Sequence, residues 1–296
     1  MKEVVVISGK GGTGKTSVTA SFAVLGGESL VIGDCDVDAD DMHLLLEPDY
    51  SNREDFYSGY MAVIDEDKCI SCGKCREVCR FKAVAAKDGL YRINEIDCEG
   101  CGYCSEICPA DAIRMQEAFV GEVFSSKIKS GARMIHARLK AGADNSGKLV
   151  ARVKKDARTA AERDGRQIIL IDGSPGIGCP VISSLTGADY VILVTEPTPS
   201  GIHDLKRVYQ LVQKFSIRAG LIINKHDINS DAAGELRSFA GDEGIKILAE
   251  LPYEPDFTKA MTEGLTVVEY KNEGLKKLLA SAWAAAKNEL NTEENI

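Results

Sequence analysis

Gly9-Lys10-Gly11-Gly12-Thr13-Gly14-Lys15-Thr16 is the stretch on which the fold turns. It fits G-x-x-x-x-G-K-[ST] and stands where that pattern has physical meaning. A β-rich apolar run at 4–7 precedes it, and helical spacing at 15–25 follows it. Glycines in such a loop let backbone N–H groups turn inward around phosphate oxygens, and the helix N-terminus adds favourable partial charge. Lys15 is then expected to bridge the β- and γ-phosphates and Thr16 to hold Mg²⁺. Gly9, Gly11, Gly12, Thr13, Gly14 and Ser17 complete the nucleotide-binding set.

Further apolar runs at 30–32, 168–171, 190–194, 221–223 and 245–248 are interleaved with helical spacing at 204–214 and 232–240. Strands alternating with helices and apolar on both faces predict a doubly wound, mostly parallel α/β sheet. The run at 168–171 ends in Asp172, followed by Gly173-Ser174-Pro175-Gly176. An apolar strand ending in Asp is the Walker B pattern, in which the carboxylate supports Mg²⁺. The backbone N–H of Gly176 is expected to sense the γ-phosphate. After 30–32 come Asp34, Asp36, Asp38 and Asp40, carboxylates whose mutual repulsion calls for a cation nearby. A solvated acidic loop is the alternative for Asp34 and Asp38. The run at 221–223 ends in Asn224-Lys225-His226-Asp227, which read alone suits guanine. Pro252, beyond the last run, either walls the base or is an ordinary turn proline.

Between residues 61 and 115 the strand–helix alternation stops and the text becomes dense in Cys, Gly and charge. The expected division is a discontinuous nucleotide-binding domain, 1–60 and 116–296, with a small domain inserted at 61–115. Eight of the ten cysteines fall inside the insert. Cys69-Ile70-Ser71-Cys72-Gly73-Lys74-Cys75-Arg76-Glu77-Val78-Cys79 is repeated, at an offset of 29 residues, as Cys98-Glu99-Gly100-Cys101-Gly102-Tyr103-Cys104-Ser105-Glu106-Ile107-Cys108. Two full C-x2-C-x2-C-x3-C runs are the spacing of a two-cluster bacterial ferredoxin, in which the fourth cysteine of each run ligates the other cluster. Two [4Fe–4S] clusters are therefore expected: one on Cys69, Cys72, Cys75 and Cys108, the other on Cys98, Cys101, Cys104 and Cys79. Two Cys₄ zinc sites are the alternative. Basic residues dominate from Lys68 to Lys87 and acidic ones from Asn94 to Asp111, so the cluster of the first run is expected to have the higher potential.

Lys10 makes the phosphate loop a deviant Walker A. With the Asp-rich stretch and Asp172–Gly176, the chain resembles the MinD/ParA/Mrp/NifH group of P-loop ATPases, and most closely the MinD-superfamily ATPases that carry an inserted ferredoxin domain. The resemblance implies ATP/ADP with Mg²⁺ and a nucleotide-dependent homodimer in which the lysine matching Lys10 reaches the partner's nucleotide. It also implies catalytic roles for Lys10, Lys15 and Asp36, the last orienting or activating water. Asp40 would lie in the Mg²⁺ shell with Thr16 and Asp172, and Asn224 would contact adenine. Cys179 either meets its twin on a shared cluster, as in the NifH group, or is a lone buried thiol.

The function expected from this combination is ATP-dependent electron transfer to an unidentified redox protein. An ATP-gated cluster-assembly factor and a MinD-like positioning switch with cluster sensors are the alternatives. No cysteine follows Cys179, so a carrier site near the C-terminus has no support. The net charge of −9 argues against nucleic acid as a partner held by overall positive charge. No apolar run approaches the ~20 residues of a membrane span and the first residues lack a signal-peptide core, so a cytoplasmic protein is expected. The face made by Leu275, Leu278, Leu279, Ala282, Trp283, Ala286 and Leu290 is expected to close the core rather than touch a membrane.

Overall fold

The computed structural model describes residues 1–39, 41–143 and 146–291. Its strands are β1 (Lys2–Ile7), β2 (Leu30–Asp34), β3 (Asn52–Ile64), β4 (Val84–Lys87), β5 (Leu90–Ile93), β6 (Ile113–Lys127), β7 (Arg133–Leu139), β8 (Ile168–Asp172), β9 (Tyr190–Thr195), β10 (Arg218–Asn224) and β11 (Lys246–Leu251). Its helices are α1 (Lys15–Gly26), α2 (His43–Leu46), α3 (Lys74–Val78), α4 (Tyr103–Glu106), α5 (Ser146–Arg163), α6 (Cys179–Leu185), α7 (Pro199–Lys214), α8 (Ser230–Asp242), α9 (Asp256–Thr262) and α10 (Glu273–Asn291).

Nine strands form one sheet in the order β11-β10-β9-β1-β8-β2-β7-β6-β3. The pairings from β11 through to β7 are all parallel. Both faces are covered, which is why these strands carry no polar alternation. Val4, Val6, Ile32, Leu170 and Ile192 pack with Phe22 of α1 and with α10 on one side. Their sequence neighbours Val5, Ile7, Ile169, Ile171 and Val191 are equally buried on the other. Gly33 leaves room for the Ile171 side chain of the neighbouring strand, on which a Cβ there would press.

The terminal helix α10 closes the core. Leu275, Leu279, Ala282, Trp283, Ala286 and Leu290 are buried, and Trp283 stacks on Phe22 with ring centroids 5.1 Å apart. Leu278, expected on the same face, is exposed instead. Among the described residues no helix is long and apolar enough to cross a membrane.

The chain divides into two compact units. The first comprises residues 1–54, 123–138 and 146–296, and the second comprises 55–122 and 139–145. The second is wider than the cysteine-rich stretch, because it also takes in lengths of β3 and β6 on either side of it. Inside it the duplication is visible in the backbone. Gly73 and Gly102 cap α3 and α4 with nearly equal left-handed angles, φ 79° and 75°. Lys82 and Asp111, also 29 apart, are both left-handed. The N–H of Asn94 donates to Ala83 O at 2.7 Å, and that of Asp65 to Ala112 O at 2.8 Å. Each half is thus tied to the residue that leads into the other. Ala62, Cys75, Val84 and Ile113 form the small core beneath them.

Candidate functional site

In the first unit a cleft of about 1780 Å³, counting its open mouth, lies at the carboxyl ends of the parallel strands. Its lining leaves β1 as Gly11, Gly12 and Gly14 to Ser17, β2 as Asp36, Asp38, Ala39 and Asp41, β8 as Ser174 and Pro175, β10 as Asn224 and Lys225, and β11 as Pro252 and Tyr253. Ligands of open α/β sheets bind at this position.

Asp172 is wholly buried behind the loop and has both carboxylate oxygens engaged. Oδ2 accepts from Lys15 Nζ at 2.8 Å and from Thr16 Oγ1 at 2.9 Å, and Oδ1 accepts from Thr19 Oγ1 at 2.7 Å. Lys15 also pairs with Asp36 at 3.2 Å. Burial works against its ammonium, but the charges of Asp172 and Asp36 outweigh that and hold its pKa above the ordinary lysine value. Burial raises the Asp36 carboxyl, with Lys15 opposing. Asp34 sits in register with Asp172 on the neighbouring strand and is buried, not solvated. Burial, then the charge of Asp172, push its carboxyl well above the carboxylate range. Asp38 is exposed, and Asp40 lies outside the described residues.

The loop glycines answer to their neighbours as much as to a ligand. A Cβ at Gly9 would run into the backbone of Asp204, and one at Gly14 (φ 92°) into the amide of Asn224. Asn224 lines the cleft and donates through Nδ2 to Thr13 O at 2.8 Å, so it braces the loop from the end of β10. Asp227 does not line the cleft; its carboxylate accepts the Tyr253 N–H at 2.7 Å. The Gly176 N–H, expected to face phosphate, donates to Ser8 O at 2.9 Å. Lys10 points away from the cleft lining and is held by Glu196 at 2.8 Å.

Two observations test this cleft for a polyphosphate and a divalent cation. Two carboxylates, Asp36 and Asp172, share one buried ammonium, and Asp34 Oδ2 and Thr13 Oγ1 are buried without a hydrogen-bond partner. A cation among the carboxylates, and an acceptor for the ammonium and the loop, satisfy this donor set.

In the second unit the eight cysteines sort into two cavities. Cys69, Cys72, Cys75 and Cys108 line one of about 340 Å³, with Ile70, Gly73 and Tyr91. Cys79, Cys98, Cys101 and Cys104 line another of about 380 Å³, with Phe81 and Tyr103. The fourth cysteine of each run therefore faces the cavity of the other run. A set of four thiols round an apolar cavity fits a polynuclear cluster. The charges at the two cavities are mixed: Lys74 lines the first and Glu99 the second, while Arg80 and Lys82 adjoin Cys79 and Phe81 of the second and Asp111 adjoins Ala110 and Ala112 of the first. Of the other cysteines, Cys35 is buried, and Cys179, at the head of α6, is exposed rather than the buried thiol of the plainer reading.

Sequence reasoning missed Thr19, Glu196, Lys225 and Tyr253. Thr19 stands one helical turn beyond Lys15, a spacing that could have revealed it. Glu196 follows the end of β9 on the edge of the sheet where ligands bind.

The comparisons with known proteins agree with this geometry. A protein family described as a 4Fe-4S dicluster domain matches residues 62–115. The sequence is 32% identical, over 285 residues, to the "Uncharacterized protein MJ0578" of Methanocaldococcus jannaschii, covering 93% of this chain and 94% of that one. Among solved structures, the septum site-determining protein MinD of Pyrococcus horikoshii, complexed with Mg-ADP, is similar at a TM-score of 0.57 and 20% identity, over 97% of this chain and 96% of that one. A ParA family ATPase from Chlorobium tepidum is similar at 0.54 and 18%, over 95% and 97%. The fold is that of the MinD/ParA P-loop ATPases.

Proposed function

This chain belongs to the family of the archaeal protein MJ0578 and joins a MinD/ParA fold to a 4Fe-4S dicluster domain, and on that premise we propose that it is an ATPase whose nucleotide state is coupled to electron transfer. The observation that carries the reading is the presence in one chain of a cleft whose Lys15 is paired with Asp36 and Asp172 and of two cavities, each lined by four cysteines.

In the cleft, Lys15 and the amides of Gly11 to Thr16 take the polyphosphate, drawing Lys15 from its carboxylates. Thr16, with Asp172 behind it, would hold Mg²⁺, which would supply positive charge beside Asp34, Asp36 and Asp172. Asp36 orients or activates the attacking water. The place of Asp40 in the magnesium shell rests on the resemblance alone. Adenine is favoured over guanine because Asn224 lines the cleft, while the Asp227 carboxylate is committed to the Tyr253 backbone. Pro252 and Tyr253 wall the base. Lys10 acts across a nucleotide-dependent homodimer.

Bound [4Fe–4S] clusters, two per chain, supply one-electron redox chemistry. This chain contributes two thiolate sets, with Cys79 and Cys108 crossing between the halves. Ligand sets complete within one chain favour electron transfer to a redox protein over cluster delivery. An anaerobic redox titration with and without MgATP tests the coupling. A shift in cluster potential on MgATP binding is expected. Two clusters present with no shift would leave the insert a passive wire or sensor and return the argument to cluster assembly.

A further inference from the structure

Lys10 Nζ lies 2.8 Å from Glu196 Oε1, 2.9 Å from Ser200 Oγ and 3.3 Å from Thr198 Oγ1. Thr198 caps α7 and Ser200 is in its first turn. A cation is out of place there, because the N-terminal end of a helix carries positive partial charge and already presents its N–H groups. The hydroxyls alone do not account for Lys10 resting at this end; the carboxylate of Glu196 does. That carboxylate is fixed from behind, since its Oε2 accepts from Lys225 Nζ at 2.9 Å. Lys225 in turn lines the cleft, takes a left-handed backbone (φ 56°), and donates its N–H to Asn224 Oδ1 at 3.0 Å.

The Lys10 backbone, meanwhile, has little freedom. Ser8 Oγ donates to Lys10 O at 2.8 Å, and Gly9 is pressed against the Asp204 backbone so closely that no Cβ fits. Lys10 can therefore change partners only by turning its side chain. Lys10 and Lys225 together hold Glu196 ionised, lowering its carboxyl below the ordinary value although burial opposes this.

We propose that Glu196 is a positioning residue that stows Lys10 within its own chain, with Lys225 as its brace, and so sets the threshold at which Lys10 becomes available to a second copy of the chain. The inference deepens the proposed function and rests on its reading of Lys10 as a group that acts across a dimer. It adds the holding carboxylate, and it links that carboxylate to the base wall of the cleft through Lys225 and Asn224.

The test uses the full-length, cluster-loaded protein. The rate at which an N-hydroxysuccinimide ester acylates Lys10 is read by peptide mass spectrometry against exposed Lys277 as internal reference. In Glu196→Gln the Lys10 rate is expected to rise about five-fold, as loss of a partly buried charge-assisted contact predicts. Glu196→Asp should restore most of the protection. Lys225→Met should give a smaller rise, and it carries the test should Glu196→Gln fail to fold. In the same variants, self-association with MgATPγS, followed by sedimentation, is expected to begin at about five-fold lower protein concentration. Unchanged Lys10 labelling in Glu196→Gln, or in Lys225→Met if that variant has to stand in, overturns the inference. So does raised labelling with unchanged self-association, since the contact would then be structural only. Lys10→Ala separates the two levels: if it self-associates as wild type does, the dimer role of Lys10 fails, and that is a failure of the underlying reading rather than of the hold by Glu196.

Discussion

In the nucleotide cleft, buried charges hold one another: Asp172 binds Lys15, Thr16 and Thr19 at once, and Lys15 spans two carboxylates. In the cysteine cavities the ligands meet backbone instead, as where the Ala112 N–H donates to Cys108 Sγ at 3.4 Å. There the thiols are placed by backbone, through left-handed Gly73 and Gly102 and the crossed bonds of Ala83 and Ala112. The cleft is thus held by its own ion pairs, with Asp34 Oδ2 and Thr13 Oγ1 left over, and must exchange partners to bind a ligand. The cavities are framed by turns, and their function depends on what the four thiols share. Charge substitutions should therefore disturb the stability of the first unit, and thiol substitutions the loading of the second, each with little effect on the other.

The largest expected effect is on loading, and it also tests the crossing of the fourth cysteines. Cys108→Ser and Cys72→Ala should each remove the cluster of the first cavity, dropping iron to about half and leaving the same residual EPR signal. Cys79→Ser and Cys101→Ala should leave the complementary signal. If Cys108→Ser instead matched Cys101→Ala, the cavity assignment would be wrong. MgATP affinity should be unchanged in all four.

Next in size is Lys15→Ala. It leaves Asp172 and Asp36 without their shared cation, and breaking a buried pair costs about 3–5 kcal/mol. Urea unfolding should show that loss, with MgATP binding abolished and iron content retained. A variant with unaltered urea stability would mean that the carboxylates shed their charge and that the cleft is not held together by the ion pair.

These contrasts also explain what is legible in the sequence. Strands buried on both faces, such as β1, β8 and β9, write unbroken apolar runs. The long β3 and β6 do not, because β3 is mostly exposed and carries Arg53-Glu54-Asp55, while β6 mixes buried with exposed positions, so the sheet extends beyond what periodicity shows. The cysteine sets are legible because ligand spacing is local and repeats at 29 residues. The partners of Lys10 and Lys15 are not, since Glu196 and Asp172 arrive from distant strand ends. The burial of Asp34 is hidden for a related reason: it sits in an acidic run like a solvated loop residue, yet belongs to the last position of a central strand.

Asp34 gives the smallest predicted effect and the finest test of the comparison. Its Oδ1 accepts the Asp36 N–H at 3.1 Å, while Oδ2 is buried without a partner beside Asp172. Its folded pKa is raised, chiefly by burial. A carboxyl whose pKa is higher folded than unfolded contributes stability that is fully present below the unfolded value and is lost as pH rises through the folded value. The nucleotide-free protein should therefore lose stability as pH climbs above the ordinary carboxylate range. Asp34→Asn removes the charge, keeps an acceptor for the Asp36 N–H and adds a donor facing Asp172. It should stabilise the nucleotide-free chain at neutral pH by about 1–3 kcal/mol, the cost of an unsatisfied buried polar group, and flatten that part of the pH profile. If Asp34 serves the bound cation, the same change should weaken MgATP binding, so the thermal shift on adding MgATP should shrink. A variant that gained no stability without nucleotide, yet lost that shift, would show the charge to be already compensated in the resting cleft.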